Sequence, residues 1–312
     1  MTQAPYIAVV GAANIDIVGT PDAELVMGDS NPGKALISLG GVGRNIAENI
    51  VRLSCPVKFI TVLGQDIHAD NIRRSCLALG IDVTECMTLP GARTSTYICV
   101  NRRNGDALAA IIDMGIYDKL LTPDMLEERL PALNAAAMVI LDTNLSEASL
   151  AYLAGHITSP IFCDPVSVSK THRMKAYMNH FTAIKPSRME AEELLGLSIL
   201  TDRDVENAAR MLYDMGARTV FISLGSEGAY CYDGSQGKKH ACCPGRIINT
   251  NGCGDAFSAA AAVGFVMGKS AEEQTMMGLA AASLCAESPL TVTDAISMTR
   301  LMDRMEEGSH GG

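Results

Sequence analysis

Three glycine-rich segments carry the residues of this chain best suited to hold or transfer an anionic group. In NTNGCGDAFSAAAAVGF, residues 249–265, Gly252, Cys253 and Gly254 precede a small-residue apolar stretch that reads as a helix, with Asp255 in its first turn. Successive free N–H groups at a helix N-terminus form an anion hole. A carboxylate beside them can take a hydroxyl proton while the N–H groups hold developing phosphoryl charge. The helix dipole alone also favours an aspartate in a first turn. The small residues behind it, which permit close packing of the helix, favour the catalytic reading. GGVGRN, residues 40–45, stands directly before another helical stretch. Its glycines let backbone approach a ligand, and Asn45 offers an amide donor and acceptor; a plain tight turn and helix start is the alternative. SLGSEG, residues 223–228, lies between two strand-like runs and suits either a hairpin turn or a nucleotide-phosphate contact.

Other chemistries fail on spacing. There is no G-x-x-x-x-G-K-[ST] loop, which disfavours a P-loop NTPase. Gly11-Ala12-Ala13-Asn14 follows the first strand-like run where a dinucleotide site would need G-x-G-x-x-G. The ten cysteines include no C-x-x-C pair and no zinc-type spacing, and several, such as Cys99 and Cys163, sit in apolar runs. They read as reduced, buried thiols of a cytoplasmic protein. The N-terminus lacks a basic region before its apolar residues and does not read as a signal peptide, and the longest apolar stretch is too short for the ~20 residues of a membrane span. A net charge of −10 argues against broad contact with nucleic acid or anionic membrane. With no Trp, six Phe and eight Tyr, a base-stacking platform is disfavoured too.

These residues need a scaffold, and the rest of the sequence describes one. Residues 6–11, 57–64, 136–142, 160–164, 181–186 and 218–225 are short apolar, strand-like runs. Each is followed by a polar or glycine turn and a helical stretch, among them 44–53 and a segment ending at Leu79-Gly80. That alternation predicts a doubly wound, mostly parallel α/β sheet covered on both faces. Two segments break it. Residues 14–41 have glycines, prolines and short alternating runs, and 95–113 read as a hairpin turning at Asn104-Gly105. Together they predict a small β-sheet lid over a pocket at the strand C-termini. The tail EEGSHGG reads as frayed.

In this order the motifs resemble the PfkB/ribokinase family of carbohydrate and nucleoside kinases. Asn14-Ile15-Asp16, GGVGRN, Asp164-Pro165, Lys185-Pro186 before Glu190, SLGSEG and GCGDAF carry the resemblance over nearly the whole chain. It implies one ribokinase-like domain over 1–312, with the lid formed by about 14–39 and 94–115, and ATP-dependent phosphorylation of a hydroxyl. The lid also often forms the dimer contact in this family, so a homodimer is expected. Within the family, DSNPGK (29–34), GGVGRNIAEN (40–49), TSTY (94–97), DPVS (164–167) and the KP-x-R-x-EAE pattern (185–192) are most similar to the pseudouridine kinase subgroup, which implies phosphorylation of a nucleoside 5′-hydroxyl. A kinase for ribose, a ketose or a purine nucleoside is the neighbouring alternative, and a non-catalytic sugar-binding member the distant one.

The resemblance also assigns roles. Asp255 is the base, and the N–H groups of Gly252, Cys253 and Gly254 hold the transferring group. Asn14, Asp16, Gly41 and Asn45 meet the ribose. Asp29, Ser30 and Asn31 reach base or ribose from the lid. Asn144 and Lys170 are further substrate candidates, with a turn residue and a solvated surface lysine as the alternatives. ATP lies near Lys185, Ser187, Ser223, Gly225 and Gly228, and Mg²⁺ is held through water by Glu190. Four positions depart from the family pattern. Ser187 replaces an Asn that helps organise the Mg²⁺ waters, and this implies altered metal dependence. Asn251 and Cys253 stand where Thr and Ala are common, changes that backbone anion binding tolerates. Asn249 stands where ribokinases carry an Asp supporting a monovalent-cation site, which leaves K⁺ open. A helix N-terminus lowers a thiol's pKa, so Cys253 is expected to be oxidation-sensitive.

Overall fold

The computed structural model of the chain describes residues 4–104 and 106–309. Among them the main sheet has eight strands, in the spatial order Gly237–His240, Ala229–Tyr232, Thr219–Ser223, Ala183–Ile184, Ile161–Asp164, Met138–Asp142, Ile7–Val10 and Val57–Ile60. The six from Thr219–Ser223 onward pair in parallel, and the first two add to one edge antiparallel. Strands covered on both faces need near-continuous apolar sequence. IAVV, MVILD and IFCD meet that need and are buried throughout. The latter two end in aspartates, and the register sets Asp164 beside Asp142.

Ile7–Val10 pairs with Val57–Ile60 on one side and with Met138–Asp142 on the other. The direction of winding therefore reverses at this first strand, and ligands of open α/β sheets bind in the crevice beyond the strand C-termini at such a reversal. One face of the sheet is covered by helices Val42–Arg52, Cys253–Val266 and Ala271–Ala286, which pack on one another through Ile46, Ala47, Ile50 and an alanine-rich stripe. Glu147–His156, Arg188–Leu195 and Asp202–Asp214 cover the other face. None of the described helices is long and apolar enough to cross a membrane.

A separate four-stranded sheet, ordered Gly33–Gly40, Asn14–Pro21, Thr96–Asn101, Ala107–Asp113, forms from the two segments that break the α/β alternation. The expected hairpin is present, with a bulge between Val100 and Asn101. Its predicted turn residue Gly105 lies outside the described residues; the Arg102 amide donates to the Asp106 carbonyl across the connection at 2.7 Å. Three sequence expectations change. Residues 57–64 are two strands, because after Ile60 the chain leaves the main sheet and Val62–Gly64 pairs with Met87–Leu89. Only Ala183–Ile184 of residues 181–186 joins the sheet. Residues 218–225 are not followed by a helical stretch: SLGSEG takes its hairpin reading and connects the antiparallel strands Thr219–Ser223 and Ala229–Tyr232.

Candidate active site

The site assembles where helix Cys253–Val266 points its N-terminus at the ends of strands Met138–Asp142 and Ile161–Asp164. Gly252 caps this helix with φ +81°, a left-handed conformation that favours glycine. A Cβ there would lie 1.9 Å from the Thr291 carbonyl oxygen. The N–H groups of the first helical turn have no intrahelical partners and no side chain caps them; that of Cys253 donates to the Thr250 carbonyl at 3.3 Å.

Asp255 stays half-open to the crevice but is crowded by protein atoms. The amide of Asn45, on the first helix, donates to its Oδ2 at 2.8 Å. Loss of surrounding water pushes the Asp255 carboxyl up to about 7, with the nearby Asp164 carboxylate adding to the effect and Asn45 and Lys185 opposing it. A base that titrates near neutrality is well matched to proton abstraction. The ammonium of Lys185 is buried beside Gly254; a Cβ on that glycine would lie 3.1 Å from Nζ. Burial would lower the Lys185 pKa, but Asp164, Glu190 and Asp255 outweigh it and hold the lysine charged above its usual value. Lys185 pairs with Asp164 Oδ2 at 3.4 Å, and the same oxygen accepts from Ser258 Oγ at 2.7 Å. Asp164 thus ties the lysine to the helix that carries Asp255.

Neighbouring Asp142 accepts from the Ala12 N–H at 2.8 Å and the Asn144 N–H at 2.9 Å. Its carboxyl is pushed up to about 6, chiefly by burial. Asn144 is buried and takes a hydrogen bond from Lys170. Lys170 is partly buried, and burial draws its pKa down. It is not a solvated surface lysine. Sequence reasoning quoted Asp164 only as part of a motif and missed Asp142 and Ser258. Two strands ending in Asp are the signal that points to the first two; Ser258, three residues after Asp255, sits on nearly the same helical face.

The lid contributes from its near end. Asn14 is buried and its amide bonds the Asp16 carboxylate. Burial raises the Asp16 pKa, while Asn14 and Arg44 oppose the rise. Gly41 caps the first helix at φ +99°, and a Cβ on it would meet the Ala12 carbonyl oxygen at 2.4 Å. Its backbone therefore sits directly on the strand-to-lid crossing. Asp29, Ser30 and Asn31 do not join this group within the chain. The register runs from Asn14↔Gly40 to Pro21↔Gly33, so these residues lie beyond the far end, about 24 Å along the strand from Asn14. There they satisfy one another: Asn31 Oδ1 accepts from the Val26 N–H at 2.8 Å, and Asp29 Oδ1 from the Ser30 N–H at 2.7 Å.

Of the residues expected to meet ATP, Ser187 and Ser223 form an isolated parallel bridge, and the Ser223 N–H donates to the Pro186 carbonyl at 2.9 Å. Gly225 and Gly228 bound a short 3₁₀ turn beside them. Ser187 is the N-cap of Arg188–Leu195, and with Glu190 it forms a capping box. The Ser187 N–H donates to Glu190 Oε2 at 2.7 Å and Ser187 Oγ accepts the Glu190 N–H at 3.3 Å. One Glu190 oxygen and the Ser187 hydroxyl proton stay available. Cys253 has a thiol below its usual pKa, and the main cause is a hydrogen bond from Cys285, with burial opposing it.

The sequence profile of the pfkB family of carbohydrate kinases matches residues 4–297. Pseudouridine kinase from Escherichia coli (strain K12) is 30% identical over 309 residues, covering 98% of both chains. Guanosine-inosine kinase from Exiguobacterium acetylicum is 29% identical, covering 89% of this chain and 93% of its own. Among solved structures, a carbohydrate kinase from Agrobacterium tumefaciens superposes with a TM-score of 0.87 at 25% identity, covering 97% of each chain. Arabidopsis thaliana ribokinase, complexed with ribose and ATP, gives 0.87 at 24% identity over 97% of this chain and 99% of its own. Fold, ordered motifs and profile agree: the chain belongs to the PfkB family of carbohydrate kinases, ribokinase-like phosphotransferases that act on a hydroxyl group of a sugar or nucleoside.

Proposed function

We propose that this kinase transfers the γ-phosphoryl group of ATP to the 5′-hydroxyl of pseudouridine, with Asp255 as general base. The observation that carries the mechanism is the Asp255 carboxylate at the uncapped start of its helix, held by Asn45 and faced by the buried Lys185. Substrate identity rests on the similarity to E. coli pseudouridine kinase along nearly the full length of both chains.

In this reading Asn14, Asp16 and Asn45 position the ribose under the near end of the lid. Asp255 accepts the hydroxyl proton as the oxygen attacks phosphorus. The N–H groups of Gly252 and Gly254, with the Lys185 ammonium, hold the charge that builds on the transferring oxygens; the Cys253 N–H joins them on releasing its bond to the Thr250 carbonyl. Asn144 and Lys170 line the neighbouring strand end and serve the same pocket. Ser223, Gly225 and Gly228 offer backbone and hydroxyl groups to the nucleotide.

Mg²⁺ supplies charge neutralisation between nucleotide phosphates when bound. The residues fit it: Glu190 is a buried carboxylate with one oxygen beyond its capping bond, and Ser187 keeps a hydroxyl proton for a water. Asn249 uses its amide internally, donating to the Pro289 carbonyl at 3.2 Å and accepting the Asn251 N–H at 3.0 Å. K⁺ activation is therefore not part of this proposal. The lid's outer face supports a homodimer: Ile37, Ile98 and Ile111 stand in one cross-strand row with Ile17 and are 63%, 42% and 68% exposed.

A substrate panel tests the assignment. Purified enzyme with ATP and Mg²⁺ is offered pseudouridine, uridine, inosine, guanosine, ribose and fructose. Pseudouridine is expected to give the 5′-monophosphate at the highest kcat/KM. A higher kcat/KM for another compound, with pseudouridine unreactive, overturns the substrate while leaving the family chemistry intact.

A further inference from the structure

Next to Asn45 on the first helix stands a buried cation that the mechanism does not use. Arg44 is 5% exposed, and Glu48, one turn on, is 6% exposed. Arg44 Nη2 donates to Glu48 Oε2 at 2.6 Å, and Glu48 Oε1 accepts from Arg52 Nη2 at 2.6 Å and from Arg52 Nε at 3.1 Å. A buried ion pair loses much of its attraction to lost hydration, so stability alone explains it poorly. Arg44 Nε adds to that cost, being buried without a partner among the described residues.

The remaining nitrogen, Nη1, lies 3.4 Å from Asn45 Oδ1 and 3.4 Å from the Leu39 carbonyl oxygen. A guanidinium only donates and an ionised carboxylate only accepts. Asn45 sits between one of each: its Oδ1 faces Arg44, and its Nδ2 donates to Asp255 Oδ2 at 2.8 Å. We propose that Arg44 is a positioning residue for the catalytic base, fixing the Asn45 amide so that its NH₂ end and not its oxygen meets Asp255. The role rests on Asp255 as general base. Backbone contacts hold both residues in place for it. The Arg44 N–H donates to the Ala12 carbonyl at 3.1 Å, and Asn49 Nδ2 donates to the Asn45 carbonyl at 3.0 Å.

Without Arg44 the amide is free to turn over. Its oxygen would then accept a proton from a neutral Asp255 carboxyl, which favours the protonated form and moves the base to higher pH. The other groups that face Asp255 are Asp164, Asp142, Lys185 and the Cys285 thiol of Ala271–Ala286, and none of them contacts Arg44. Arg44 itself faces Glu48 on its own helix and Asp16 on the lid strand, where it opposes the rise that burial causes. From helix Ile67–Ala78 it meets Ser75 Oγ at 3.5 Å and the Cys76 thiol, which burial holds above its usual pKa and on which Arg73 also acts.

The test reads the Asp255 carboxyl directly. Enzyme labelled with carbon-13 at the aspartate side-chain carboxyls is titrated by NMR, the Asp255 signal being assigned by its absence from Asp255→Asn, and the pH dependence of kcat is measured in parallel. Wild type is expected to titrate at about 7. Arg44→Met should raise this by about one pH unit, and the acid limb of kcat with it, a size set by one hydrogen bond to a charged group. Arg44→Lys restores a donor and a charge and should reverse most of the shift. Arg52→Met removes a cation from the same ion network without touching Asn45 and should leave the titration in place. In Arg44→Met the Glu48 carboxylate keeps Arg52; if that variant does not fold, Arg44→Met with Glu48→Gln removes the pair together and gives the same reading. An Asp255 titration unmoved by the loss of Arg44, or moved as far by Arg52→Met, overturns the positioning role. A raised titration with an unmoved kcat limb upholds the hold on Asn45 and overturns Asp255 as the base.

Discussion

At the scale of single residues, the account turns on how three carboxylates and two lysines share a crevice. The Asp164 carboxylate raises the proton affinity of both Asp255 and Asp142, and Asp142 adds to that of Asp255, while Lys185 stays charged among them. The base works only when ionised, so kcat/KM should fall on the acid side with an apparent pKa near the value of about 7 set for Asp255. The Asn45 amide stabilises the ionised form. Asn45→Ala should therefore shift this acid limb to higher pH as well as weaken nucleoside binding, and a pH–rate profile of the variant reads the direction. A limb that stays in place would detach Asn45 from the base. At this scale the sequence was informative about Asp255 and Asn45, because glycine-rich turns before helices mark where backbone can hold a ligand. Nothing local marks the partnership of Asp164, Lys185 and Ser258; it arises from three separate elements converging.

At the scale of elements, Ser187 illustrates how one residue serves two ends. Against the family pattern it looks like a loss at the metal waters. In the structure it begins a helix, and the S-x-x-E spacing of Ser187 and Glu190 is a capping-box signature that was legible in the sequence. Ser187→Ala should cost roughly 1 kcal/mol of stability, read by urea unfolding. Ser187→Asn should keep the cap, since Asn caps well, and raise turnover at subsaturating Mg²⁺. If neither variant differs from wild type, the residue serves neither role. The main strands were legible from their apolar runs. The break after Ile60 was not, because Val62 and Leu63 are as apolar as the strand before them and only their pairing with Met87–Leu89 separates them.

At the scale of the whole molecule, the two segments that break the α/β rhythm become the lid, and the winding reversal at the first strand sets the site beneath its near end. The sequence could not say which end of the lid would face the crevice. The family resemblance assigns Asp29, Ser30 and Asn31 to the base or ribose, yet antiparallel pairing carries them to the far tip. The lid's exposed isoleucines give a prediction at this scale. Ile111→Lys should shift the protein toward monomer in sedimentation, because a charge in an apolar interface is left without a partner; an unchanged sedimentation profile argues against a lid-to-lid dimer.

The most direct measurement is the kcat of Asp255→Asn with pseudouridine and ATP at saturating Mg²⁺, at pH 8. The substitution keeps size and removes the base. Its folding is checked by thermal unfolding, where the sign is fixed: the wild-type carboxyl has a folded pKa above its unfolded one, so its ionisation costs stability as pH rises through that interval, and the Asn variant escapes the cost. The account predicts a Tm at or above wild type and a kcat at least ~10²-fold lower. A folded Asp255→Asn variant with near wild-type turnover would contradict it.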